Sequence, residues 1–122
     1  MEYLDLEDLL LHVRRLGAGP VRDLGLLESA AARPRTTVFG DDAYPDVPHK
    51  AAALLHSVVR SHPLVDGNRR LGWLACVVFL DVNGQQTALT DDEAFDLVMQ
   101  VAATDVEVAE LAEALRCRRR GG

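Results

Sequence analysis

Leu71-Gly72-Trp73-Leu74-Ala75-Cys76-Val77-Val78-Phe79-Leu80-Asp81-Val82 is apolar on nearly every face. A helix that is hydrophobic all round belongs among other helices, and this one falls well short of the roughly 20 residues that span a bilayer. Asn83-Gly84 ends it. The segment therefore predicts a central, buried helix, and the fold turns on whether its neighbours supply the helices to surround it.

They do. Upstream, Ala51, Leu54, Leu55, Val58 and Val59 repeat at helical spacing, and that helix must finish near Ser61-His62 because Pro63 follows. Leu6, Leu9, Leu10, Val13 and Leu16 form an earlier stripe, stopped by Gly17-Ala18-Gly19-Pro20, and a Leu- and Ala-rich segment from Leu24 to Ala32 ends before Pro34. Downstream, Thr90-x-x-Glu93 and Thr104-x-x-Glu107 read as capping boxes opening two more helices. Their stripes are Ala94, Leu97, Val98 and Val101, then Val108, Leu111, Ala112 and Leu115. Only Arg35 to Pro48 breaks the pattern. Thr36-Thr37-Val38-Phe39 favours extended backbone, and Gly40, Asp41, Asp42, Pro45 and Pro48 favour turns, so an ordered loop or short hairpin is expected. The whole predicts an all-α bundle of six helical segments with a short extended insert.

With 122 residues, 48% of them hydrophobic, the chain suits one domain, residues 1–122. It shows neither a basic secretory start nor an apolar run long enough for a membrane, so the expected location is the cytoplasm. Two cysteines, Cys76 and Cys117, make neither a disulfide framework nor a zinc pair. A formal charge of −6 argues against broad binding to nucleic acid, and Arg116 to Arg120 reads as a solvated tail. His49 and His56 lie about 10 Å apart along a helix, too far for one metal ion. His12 has no evident partner, and Trp73 and Cys76 read as core.

Chemistry concentrates between the two most apolar helices, in His62-Pro63-Leu64-Val65-Asp66-Gly67-Asn68-Arg69-Arg70. Gly67 tolerates unusual backbone angles and close approach, and the helix beginning just after it directs free amides toward the loop. That is a phosphate cradle, flanked by two guanidiniums able to grip phosphate oxygens bidentately. Asp66 is an oxygen ligand suited to Mg²⁺. His62 carries an imidazole, which can accept a proton from an attacking hydroxyl. These roles add up to phosphoryl-type transfer, where the protein positions the nucleophile and neutralises developing charge. The same composition also describes a capped helix with Asp66 paired to an arginine and His62 as an ordinary loop residue.

The stretch resembles the signature of the Fic/Doc family, His-x-Phe-x-Asp/Glu-Gly/Ala-Asn-x-Arg. Arg22-Asp23-Leu24-Gly25-Leu26-Leu27-Glu28-Ser29-Ala30, Tyr44-Pro45 and Ala51-Ala52-Ala53-Leu54-Leu55-His56 are similar to segments that precede the motif in Doc-like toxins, so the likeness spans nearly the whole chain. It implies a Fic/Doc-type helical bundle in which His62 activates the target hydroxyl, Asp66 holds Mg²⁺, and Gly67, Asn68, Arg69 and Arg70 bind the phosphates of ATP or another nucleoside triphosphate. Arg70 completes the catalytic set.

Two departures matter. Fic adenylyltransferases carry glycine where this chain has Arg69 and a further arginine where it has Trp73; Doc-like kinases carry lysine at the first place. The likeness therefore implies a protein kinase, with adenylyl transfer as the alternative, and a catalytically silent antitoxin-binding module as a third reading. Leu64 replaces the family's phenylalanine and is expected to remain an apolar plug. Thr37, Val38, Phe39 and Gly40 correspond to the flap that holds the target. The resemblance further suggests elongation factor Tu as target. No glutamate here is followed by glycine or asparagine, the end of the self-inhibitory motif some Fic proteins carry, so the implied partner is a separate antitoxin.

Overall fold

A computed structural model of the chain describes residues 1–121. In chain order its elements are α1 (Leu6–Leu16), α2 (Leu24–Ala32), a 3-10 turn (Arg33–Arg35), β1 (Thr37–Val38), β2 (Asp41–Asp42), α3 (Val47–Ser61), α4 (Asn68–Val82), β3 (Gln85–Thr87), α5 (Asp91–Ala103), α6 (Val108–Ala114) and β4 (Cys117–Arg119). The architecture is all-α, with two small antiparallel ribbons, β1–β2 and β3–β4.

The central helix is α4, which packs on α1, α3, α5 and β3. Its closest partner is α3. Gly72 makes the crossing close: a Cβ there would stand 2.8 Å from Val59 Cγ2 and 3.2 Å from Leu55 Cδ1. Leu71, Ala75, Cys76, Phe79 and Leu80 are buried, while Trp73, Leu74, Val77 and Val78 are only half-buried. So α4 is less enclosed than its composition suggests, and part of its surplus apolar surface faces a cleft instead of the core.

Caps set the helix starts. Asp5 and Asp8 close a capping box on α1, Asp23 caps α2, and Thr90 with Glu93 forms the expected box on α5. Helix α3 begins earlier than the sequence pattern indicated. Asp46 accepts from the His49 amide at 2.9 Å, and Pro48, read as a turn residue, sits in the first turn, where a missing N–H costs nothing. The second expected box does not form. Thr104 closes α5 instead, its hydroxyl donating to Gln100 O at 2.9 Å, and α6 opens at Glu107 without a side-chain cap. The basic tail is likewise more ordered than its charge suggested. Residues 117–119 pair with residues 85–87, Arg116 bridges Glu93, and Arg120 bridges Asp81.

The insert between α2 and α3 is the short hairpin. Phe39 and Gly40, at φ 52° and 84°, make its turn, as a two-residue hairpin requires. Its base is fastened by Lys50, the most buried charged side chain of the described residues at 1% exposure. Lys50 Nζ donates to Pro34 O at 3.1 Å and to Asp42 Oδ2 at 3.2 Å, which makes its burial tolerable. Arg33 adds a second tie, donating to Tyr44 Oη at 2.9 Å and to His56 Nδ1 at 2.9 Å.

An arginine only donates, so His56 Nδ1 must be unprotonated. Partial burial, and then the Arg33 charge, lowers the His56 pKa below its ordinary value. Because the folded imidazole resists a proton that the unfolded chain accepts from about pH 6.5 downward, stability is full above that pH and declines as acid approaches the lowered folded value. The urea midpoint should therefore fall between neutral and mildly acidic pH. That decline should flatten in His56→Gln, with His12, also lowered chiefly by burial, supplying the remainder.

Candidate active site

Residues 62–67 join the end of α3 to the start of α4. The chain leaves α3 at His62 in left-handed geometry, φ 54° and ψ 60°, and enters α4 at Gly67, φ 93°. A preceding segment lies against this turn as a short antiparallel brace. Gly19 N donates to Asp66 O at 2.9 Å, Val65 N to Pro20 O at 2.9 Å, and Arg22 N to Pro63 O at 2.7 Å, with Val21 bridged to Leu64. Beneath it Leu64 is buried at 1% exposure, the expected plug.

Each motif residue has a distinct place. Gly67 offers no side chain to cap α4, so the first amides of that helix stay open to an anion. The close approach at Gly67 is made by the chain itself: a Cβ there would lie 2.6 Å from Ala18 Cβ. Asn68 turns its carboxamide inward, accepting from Leu64 N and donating to Leu64 O, both at 2.9 Å, so its side chain braces the turn and its position at the helix start is what it offers a phosphate. Arg70 Nη1 donates to Leu16 O at 3.3 Å and its Nη2 stands 3.8 Å from Asp66 Oδ2. Asp66 is itself widely exposed. Arg69 is exposed and forms no ion pair or side-chain hydrogen bond among the described residues. The open cation beside the open amides is thus Arg69.

These residues border one cleft of about 820 Å³. Its polar end holds His62, Asp66, Gly67, Asn68, Arg69 and Arg70; its apolar wall holds Trp73, Leu74 and Val77 of α4, Ala94, Phe95, Val98 and Met99 of α5, and Leu16. Trp73 belongs to this wall as well as to the edge of the core, which corrects its reading as core alone. Phe95 and Met99 went unnoticed because they fall off the α5 core stripe. That displacement was the available signal, since two large apolar residues one turn apart on a helix's outer side need something to face. The hairpin residues Thr37, Val38, Phe39 and Gly40 do not border the cleft; Phe39 is fully exposed at the hairpin tip.

An imidazole at the end of one helix, an uncapped start of the next, and an apolar wall running on from both thus border a single cleft. The chain belongs to the Fic/DOC family, whose profile matches residues 2–80. A relative, Toxin Doc of Mycolicibacterium smegmatis, is 48% identical over 118 residues, covering 93% of this chain and 91% of its own length. Enzymes of this family generally transfer a group from a nucleoside triphosphate.

Proposed function

We propose that this chain is a Doc-type toxin, a cytoplasmic protein kinase that transfers the terminal phosphoryl group of a nucleoside triphosphate to a hydroxyl of a target protein such as elongation factor Tu, and so blocks translation. The observation that carries the reading is the open guanidinium of Arg69 beside the uncapped start of α4, within the cleft that His62 also borders. A cation at that place grips a terminal phosphate, whereas the bare backbone of a glycine would admit a different part of the nucleotide.

The target hydroxyl oxygen attacks the terminal phosphorus while His62 takes its proton. The bond from that phosphorus to the bridging oxygen breaks, and the nucleoside diphosphate leaves with the electron pair. Arg69 and the α4 amides hold the phosphoryl oxygens as charge spreads over them. Arg70, fixed to Leu16 O, holds the mouth of the turn beside Asp66.

No group of three or more potential metal-ligating side chains occurs among the described residues. One exposed carboxylate, Asp66, nevertheless fits Mg²⁺ carried in on substrate phosphates, because that ion commonly takes one or two carboxylates and completes its shell with phosphate and water. Mg²⁺ would neutralise phosphate charge there. The exposed hairpin tip, Thr37 to Gly40, is the surface offered to the target backbone. A separate antitoxin completes the system by occupying the domain when the toxin must be silent.

Label position decides the chemistry. With purified target, label from the terminal phosphate of ATP should appear on the protein and label from the innermost phosphate should not. The reverse pattern would establish adenylyl transfer, and neither label, with growth inhibition unchanged in His62→Ala, would leave only a binding module.

A further inference from the structure

Arg22, outside the motif and forty residues before His62, contacts three successive carbonyls at the end of α3. Its Nε donates to His62 O at 2.8 Å, its Nη2 to Ser61 O at 3.1 Å, and its backbone N–H to Pro63 O at 2.7 Å. No carboxylate pairs with it among the described residues, so the guanidinium is committed to these oxygens. We infer that Arg22 is the positioning residue for His62, an inference that rests on His62 being the base of the proposed transfer.

The last carbonyls of a helix have no partner within it and carry partial negative charge, which a cation at that end satisfies. The residue that follows a helix in left-handed geometry is usually glycine or asparagine. Here it is a histidine, at φ 54°, and such a conformation persists where the surroundings over-determine it. Arg22 supplies that determination. By fixing the carbonyls on both sides of the His62 α-carbon, it fixes the backbone from which the imidazole projects toward the cleft. Lysine has the charge but not the planar fork that reaches two carbonyls at once.

Arg22→Ala should lower kcat by about 10- to 100-fold, the scale expected when a reacting group is misplaced by about an ångström. The nucleotide KM should stay unchanged, since the α4 amides and Arg69 are untouched. Arg22→Lys should fall between, and low concentrations of guanidinium chloride should restore part of the Arg22→Ala rate. Independently of catalysis, histidine-selective NMR should show the His62 ring signals of Arg22→Ala broadened or shifted against wild type. If Arg22→Ala fails to fold, Arg22→Lys carries the same comparison. Unchanged kcat with unchanged ring signals overturns the inference, as does a rise in KM at constant kcat. Should the wild-type chain bind nucleotide yet transfer nothing, the functional reading fails, and a Lys or Ala variant whose His62 signals match wild type then overturns the positioning role separately.

Discussion

His62→Ala should lower target labelling roughly a hundred- to ten-thousandfold, the range general-base catalysis supplies, while nucleotide binding measured by calorimetry stays near wild type. The asymmetry follows from where the groups sit. In the proposed transfer, phosphate is held by the uncapped start of α4 and by Arg69, both beyond the turn, whereas the proton is removed at His62, the end of α3. Of the other acidic groups bordering the cleft, Asp66 is the proposed ligand of the phosphate-borne cation and Asp91 lies at the start of α5, so neither is expected to replace the imidazole. Alanine also bears a left-handed backbone poorly at a site with φ 54°. His62→Asn is the matching control, because asparagine tolerates that geometry and lacks a base near neutral pH. Loss of activity in both variants, with binding retained, assigns the effect to the imidazole. Labelling by His62→Asn at more than about a tenth of the wild-type rate would remove His62 from the role of base.

The core was legible because its signals are local. Leu71 to Val82 announced a helix surrounded by others, and the stripe ending at Val59 placed a second one against it. What was hidden depends on pairing at long range. The β3–β4 ribbon joins residues 85–87 to residues 117–119, and no property of Cys117-Arg118-Arg119 alone reveals that partner. The Thr104-x-x-Glu107 pattern misled for a related reason: a capping box works only where Thr precedes the helix, and here α5 runs on to Ala103 and uses Thr104 to end itself. At the site, the motif located the cleft but not the use of each group. Asn68 has the composition of a phosphate ligand and the geometry of a brace, and Arg22, without whose side chain the turn lacks two of its ties, carries no signal beyond its place in a stretch resembling Doc-like toxins.

Gly67→Ala should destabilise the fold by about 2–5 kcal/mol, and much of that loss should be recovered by Ala18→Gly in the same chain. Two separable costs act at this position. The first is backbone strain, since φ 93° is outside the range an L-residue with a Cβ adopts easily. The second is steric, since the new methyl would lie 2.6 Å from Ala18 Cβ, where carbon atoms normally rest near 3.5–4.0 Å. Ala18 cannot withdraw freely, because Ala18 N is bonded to Val13 O at 3.0 Å and Gly19 N to Asp66 O at 2.9 Å, so its backbone is clamped between α1 and the turn at residues 62–67. Removing the Ala18 methyl relieves only the second cost; the Ala18 α-carbon, 3.4 Å from the new Cβ, is nearly at ordinary contact. Urea unfolding of the two single variants and the double variant should give a coupling of about 1–3 kcal/mol, with the remaining deficit attributable to strain. Additive effects would show that the turn yields without Ala18. The new methyl would also come within 3.0 Å of Arg70 Nη2 and push that guanidinium from Asp66, so activity should fall in Gly67→Ala and recover less fully than stability does in the double variant.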